Sequence, residues 1–277
     1  MQVAEINGAN IHYEVIGNDG PWVALSPGGR RGGEGARGLA TRMAGAGYRV
    51  VIHDRRNCGA SDLMLDGELS EYEIWADDLA GLLAQLGAGK AVIGGASSGC
   101  RLSALAALRH PELVSALLLW RVTAGKLACD GLAETYYGEY ITAAQKGGMK
   151  AVCETEHFSE RILDNPANGE KLMAMDPEKF IAIMSHWRSF FLEGADLPII
   201  GATEEDLRSI QVPCCVVPGN DQRHTKATGH NLHSLLPNSE LHEVMAEELD
   251  IELGPHEDWD AVEGDLARLF VSFIRRN

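Results

Sequence analysis

Ala91-Val-Ile-Gly-Gly-Ala-Ser-Ser-Gly-Cys100 is the stretch on which the reading of the chain turns. A short β-branched run ends in two glycines, and Ser97 then stands with a glycine two residues to either side, Gly95 and Gly99. From Leu102 onward a Leu/Ala pattern of helical spacing follows. Strand, sharp turn with serine at its apex, then helix is the geometry of a nucleophile elbow. Such a turn crowds the neighbours of the serine, so small residues are needed on both sides. The five-residue pattern alone also fits an ordinary strand-to-helix turn, its glycines serving helix packing. What decides between the two is whether a base, an acid and oxyanion donors follow in the right order.

The chain has 277 residues, 45% hydrophobic and 23% charged, which suits one large α/β domain carrying an insertion. A formal net charge of −16 speaks against nucleic acid or an anionic membrane as partner, since both call for a basic face. Met1-Gln-Val-Ala-Glu-Ile6 lacks a basic, then apolar, leader pattern, and no apolar run approaches the roughly 18 residues of a membrane span. Six cysteines are scattered without C-x-x-C spacing and read as small buried hydrophobes in a reducing compartment, so a cytoplasmic location is expected. Ten histidines include no metal-ligand spacing, and neither a metal nor a cofactor is expected. A small-molecule substrate is the expected partner; a homodimer is possible, though no surface stands out for it.

Period and turn chemistry give the order of elements. Val3–Ile6 and Ile11–Ile16 read as a hairpin, then Trp22–Ser26 as a strand, Gly35–Gly47 as a helix and Tyr48–His53 as a buried strand. A helix over Glu71–Gln85 would set Asp77 and Asp78 toward solvent. The elbow strand, its helix to about His110 and a strand over Val114–Trp120 follow. This alternation implies a mostly parallel, doubly wound sheet. Between Thr123 and about Leu207 strand patterning disappears and helices are expected at Gly131–Lys146, Met149–Phe158, Ser159–Leu163, Asn168–Met175 and Pro177–Leu192. Aromatic residues gather there, either as the core of a helical subdomain or as the lining of an apolar pocket over the elbow. Sheet pattern resumes at Val212–Val217 and Glu240–Val244, with helices at Thr228–Leu236 and Trp259–Arg275. The expected division is a core of residues 1–122 and 208–277 with a helical cap of residues 123–207.

Near neutral pH a serine hydroxyl attacks a carbonyl only with a base to take its proton and donors to hold the oxyanion. In a parallel sheet such groups gather in loops at the C-terminal ends of strands. Ser97 follows one strand, Asp221 follows the strand over Val212–Val217 in Pro218-Gly-Asn-Asp221, and His256 lies in Gly254-Pro-His256 after the last strand. The expected roles are Ser97 as nucleophile, His256 as base and Asp221 as acid, with His224 a weaker rival for the base, only three residues past Asp221. The bland alternatives are a surface histidine beside Glu257 and Asp258, and a turn aspartate.

From about residue 2 to 276 the chain resembles the α/β-hydrolase fold family. Carrying the resemblance are Ser26-Pro-Gly-Gly29 at the oxyanion turn, Asp54-Arg-Arg-Asn-Cys-Gly-Ala-Ser-Asp62, the elbow, Pro218–Asp221 and Gly254–His256. The resemblance implies the α/β-hydrolase fold with a helical cap inserted after the sixth strand, in the branch holding lactonases, small-ester hydrolases and meta-cleavage C–C hydrolases. It implies an oxyanion hole from the backbone N–H groups of Ser98 and Gly29, with Arg30 adjoining. Departures from the family pattern are Pro27 in place of the usual histidine, Arg30-Arg31 beside it, and Asn57-Cys58. Trp187, Tyr137 and Arg121 are the candidate substrate contacts, Arg121 toward a substrate carboxylate. The leading expectation is a serine hydrolase of a small or medium apolar ester or lactone. Its alternatives are a C–C bond hydrolase of a vinylogous diketone, a cofactor-free dioxygenase and a non-catalytic ligand-binding member of the fold.

Overall fold

A computed structural model describes all 277 residues. The chain opens with a hairpin, β1 (Gln2–Ile6) and β2 (Ala9–Ile16), whose register joins Ile6 to Ala9 and leaves Asn7-Gly8 as a two-residue turn. Both turn residues have positive φ, 49° and 78°, as a hairpin turn that matches strand twist requires. Then come β3 (Trp22–Ser26), α1 (Arg37–Gly45), β4 (Arg49–His53), α2 (Glu71–Gln85), β5 (Ala91–Ala96), α3 (Ser98–Arg109) and β6 (Val114–Trp120). Six helices occupy the stretch before the next strand: α4 (Lys126–Ala133), α5 (Glu139–Cys153), α6 (Glu156–Asp164), α7 (Ala167–Met173), α8 (Pro177–Glu193) and α9 (Glu204–Ser209). The chain closes with β7 (Cys214–Val217), α10 (Lys226–Leu235), β8 (Ser239–Leu241), α11 (His256–Ala261) and α12 (Glu263–Arg276).

The strands form one sheet in the order β1-β2-β4-β3-β5-β6-β7-β8, parallel from β4 through β8 and antiparallel at the β1–β2 edge. Alternate residues of the central strands enter different cores. Ala24, Val51, Ile93, Leu117 and Cys214 pack with α2, α3 and the inserted helices, whereas Val23, Val50, Val92, Leu118 and Cys215 pack with α1 and α12. The neighbouring cysteines of β7 therefore face opposite cores, as their adjacency in a strand predicts. No helix is long and apolar enough to cross a membrane.

Four local expectations need correction. Asp78 does not face solvent: it is 2% exposed and its carboxylate accepts from Arg56 Nη2 at 2.7 Å and Nε at 2.8 Å, and from Asn7 Nδ2 at 3.0 Å. Asp77, one residue earlier, does sit nearer the surface with Arg109 and His110. The last helix is two, α11 and α12, broken at Val262, and β8 is shorter than expected. Among the inserted helices the first begins earlier than its pattern suggested and joins α5 through a widened π turn, Glu134–Gly138. The interruption expected between Lys146 and Met149 is present as a kink inside α5, with Gly148 at φ 63°.

Candidate active site

The elbow forms where β5 gives way to α3. Ser97 takes φ 53° and ψ −110°, a conformation costly for a residue with a side chain and enforced by its surroundings. Both flanking glycines are required by close approach. A Cβ on Gly95 would lie 2.4 Å from the carbonyl carbon of Gly99, and one on Gly99 would lie 2.3 Å from the carbonyl oxygen of Ser26. Cys100 sits behind the turn, its Sγ toward the carbonyls of Gly95 and Trp120 at 3.0 and 2.9 Å.

The Ser97 hydroxyl meets His224, not His256. His224 Nε2 is 2.9 Å from Ser97 Oγ, and His224 Nδ1 is 2.8 Å from Asp221 Oδ1. Asp221 is fully buried. Its Oδ1 also accepts from the backbone N–H groups of Arg223 and His224, and its Oδ2 from Gly254 N–H at 3.0 Å and Arg121 Nη2 at 3.2 Å. Burial pushes this carboxyl upward, but the His224 bond, the Gly254 N–H and the Arg121 charge outweigh it and hold it far below the usual carboxylate range. Asp221 is thus an ionised acceptor, which makes Nδ1 of His224 the donor and leaves the Nε2 lone pair facing Ser97. Burial, and then the Arg121 charge, lower the His224 pKa, with Asp221 pulling the other way. The imidazole is neutral at neutral pH. With the Ser97 O–H directed at Nε2, the hydroxyl of Thr123, 2.9 Å away, donates to Ser97 Oγ.

His256 opens α11 on an exposed position, and its Nδ1 faces Arg121 Nη1 at 3.3 Å. The loop before it reaches Asp221 through the backbone of Gly254, and Arg121 fills the remaining space on Oδ2. No lone pair of Asp221 is left for a His256 ring. His256 lines the cavity beside Ser97 without touching Ser97 or Asp221.

That cavity has a volume of about 230 Å³. Its floor is Ser97, Gly28 and Gly29, and its apolar wall includes Leu39, Trp120, Leu132 and Tyr136. Of the three expected substrate contacts only Arg121 lines it. Trp187 is buried with Nε1 donating to Leu69 O at 3.0 Å, and Tyr137 is buried with its hydroxyl donating to Glu71 Oε2 at 3.1 Å. Both serve the packing of the inserted helices. Their place on the wall is taken by Leu132 and by Tyr136, one of the gathered aromatic residues but not one chosen as a substrate contact.

Ser98 is the first residue of α3, so its N–H has no partner within the helix and lies at the positive end of the helix dipole. Gly29 has φ 59° and belongs to the same cavity floor. The Arg30 side chain points elsewhere. It is buried in an ion pair with Glu71, with the rings of Tyr136 and Tyr137 about 5 Å away. Sequence reasoning missed Thr123 and Arg55, and the only available signal was proximity to the expected loops.

A family model described as the alpha/beta hydrolase fold matches residues 21–120. An uncharacterized hydrolase of Bacillus subtilis (strain 168) is 35% identical over 114 residues, a stretch that covers 41% of this chain and 41% of that protein. A 2-hydroxy-6-oxononadienedioate/2-hydroxy-6-oxononatrienedioate hydrolase of Burkholderia vietnamiensis is 27% identical over 286 residues, covering 96% of this chain and 91% of that one. Among solved structures, the enol-lactonase from Burkholderia xenovorans LB400 superposes with a TM-score of 0.65 at 21% identity, covering 99% of this chain and 100% of the other.

Proposed function

We propose that this chain, which has the alpha/beta hydrolase fold, is a serine hydrolase of small carboxylic esters or lactones, with Ser97 as nucleophile, His224 as base and Asp221 as acid. The observation that carries this is the unbroken chain of hydrogen bonds from Ser97 Oγ through His224 to Asp221. Ser97 Oγ attacks the acyl carbon as His224 Nε2 takes its proton, and Asp221 stabilises the imidazolium that results. The oxyanion is received by the N–H groups of Gly29 and Ser98. His224 then gives its proton to the departing alkoxide, leaving an acyl-Ser97 ester. A water molecule, deprotonated by His224, attacks that ester, and the proton returns to Ser97 as the carboxylate leaves.

The cavity volume of about 230 Å³ lies below the range of drug-sized ligand sites and favours a small acyl group. One second reading has an observation in its favour. The Burkholderia vietnamiensis relative is named as a hydrolase of dioates, and Arg31, Arg121 and His256 supply cationic or polar groups on this cavity wall. Hydrolysis of a C–C bond in a vinylogous diketone would use the same Ser97, His224 and Asp221.

Steady-state rates on a panel of p-nitrophenyl esters, lactones and dienoic ring-cleavage products distinguish the two. The proposal expects ester or lactone turnover that Ser97→Ala abolishes without loss of fold. A purified Ser97→Ala protein that keeps its ester activity removes the nucleophile from Ser97 and the proposal with it.

A further inference from the structure

Besides Arg121, which pairs with Asp221, the arginines buried in loops around the elbow include Arg30, Arg55 and Arg56. Arg30 pairs with Glu71 and Arg56 with Asp78. Arg55, 1% exposed, has no carboxylate partner. Its guanidinium stacks 4.4 Å from the Trp75 ring centre, and its polar contacts all fall on the oxyanion segment. Nη2 donates to Gly29 O at 2.8 Å and to Arg31 O at 3.1 Å, and Nη1 donates to Ser98 Oγ at 3.0 Å. Ser98 Oγ in turn donates to Gly29 O at 2.7 Å.

We infer that Arg55 is a positioning residue for the oxyanion hole, acting through the Gly29–Arg31 loop and Ser98 by both geometry and charge. The inference rests on the serine-hydrolase reading. Two donors on one carbonyl fix the planar Gly29–Arg30 peptide unit, which adjoins the Gly28–Gly29 unit carrying the donor N–H of Gly29. They also fix ψ of Gly29, a residue whose positive φ would otherwise leave the loop free to turn. The hydroxyl bridge through Ser98 ties this loop to the first turn of α3. The two segments expected to supply oxyanion donors are therefore held by one guanidinium.

Charge makes the second half of the argument. A buried cation without a counter-ion is costly, and neutral donors would satisfy the same two carbonyls. The tetrahedral intermediate puts a negative charge on the segment that this cation holds through Gly29, Arg31 and Ser98, and does so only while it exists. Its attraction therefore strengthens between ground and transition state, which is the condition for raising kcat and not merely binding.

The test compares wild type, Arg55→Lys, Arg55→Gln and Ser98→Ala in steady-state kinetics on an activated ester and in the rate of labelling by a fluorophosphonate. Melting temperature and near-UV circular dichroism establish that each variant is folded. Arg55→Gln should lose about 100-fold in kcat, the size of losing an oxyanion donor. Its KM should stay within about threefold of wild type, because ground-state binding is untouched. Arg55→Lys keeps the charge and should recover most of that loss, and labelling rates should fall in the same order as kcat. Ser98→Ala keeps the charge and the backbone N–H while cutting the bridge, and should cost about tenfold in kcat. If Arg55→Gln does not fold, Arg55→Lys and Ser98→Ala carry the comparison, and wild-type kcat in both overturns the inference. It is equally overturned by a loss confined to KM, or by Arg55→Lys falling as far as Arg55→Gln. A wild-type protein that no fluorophosphonate labels sinks the serine-hydrolase reading itself, and the inference falls with it.

Discussion

Asp221 and His224 stand three positions apart, and the chain between them turns back so that the two residues bridge and their side chains meet. The carboxylate draws its other hydrogen bonds from backbone and Arg121, so the imidazole faces Ser97 on a fixed base. His224→Gln should therefore lower kcat by about 10⁴ or more, whereas His256→Gln should leave it within about tenfold, as checked by ester hydrolysis. The pH profile follows from the same contacts. Burial and the Arg121 charge lower the His224 pKa, so the base stays neutral below pH 6.5. The acid limb of kcat/KM should therefore fall below that pH. Asp221→Asn removes the one partner that favours the imidazolium. It should shift that limb further toward acid while cutting kcat by about 10⁴. Ser97 and Asp221 were legible because turn chemistry at strand ends places them. The base was not, because Gly254-Pro-His256 follows the last strand, where the order nucleophile, acid, base leads one to expect it, while His224 stands only three residues past Asp221. Only the occupation of Asp221 Oδ2 by Gly254 N–H and Arg121 decides between the two histidines.

At the scale of elements, α2 illustrates what a helical period contains beyond its apolar positions. Ser70 caps it, its Oγ accepting from Glu73 N–H while the Glu73 side chain accepts from Ser70 N–H, a reciprocal box that fixes where the helix begins. Asp78 lies three residues after Trp75 and four before Leu82, both buried, so helical spacing alone sets it on the inner face. Polarity made it look solvent-facing, and its partner Arg56 lies on a loop that helical periodicity does not relate to α2. Breaking that buried pair leaves Arg56 uncompensated, and Asp78→Asn should cost about 3–5 kcal/mol in a urea titration. Asp77→Asn, at the partly exposed pair with Arg109, should cost about 0–1 kcal/mol. Equal effects of the two substitutions would contradict this account of the helix. The inserted helices were legible as helices and much less so in their bounds, because Trp187, Tyr137 and Phe191 bury against one another and a π turn absorbs the misfit between α4 and α5.

Across the whole molecule, the strand order was legible because apolar runs alternate with helical periods, and parallel pairing follows from that alternation. Which buried groups remain uncharged was not legible. His53, at the end of β4, is 1% exposed with neither ring nitrogen hydrogen-bonded. Burial, and then the Arg55 charge, lower its pKa from 6.5 to about 3. Between those values the unfolded chain binds a proton that the folded one does not. The contribution to stability is complete above pH 6.5 and is lost as pH falls toward 3, at up to about 1.4 kcal/mol per pH unit. Urea midpoints taken from pH 7 down to 4.5 should fall, and His53→Gln should flatten that slope. An unchanged slope would assign the acid sensitivity to other groups. For the claim that joins all three scales, that Ser97 is a nucleophile activated by His224, the most direct measurement is fluorophosphonate labelling with the adduct located by mass spectrometry. The account predicts a single adduct on Ser97 in the wild type and in His256→Gln, and none in His224→Gln. An adduct on another residue, or labelling that survives loss of His224 and vanishes with His256, would contradict it.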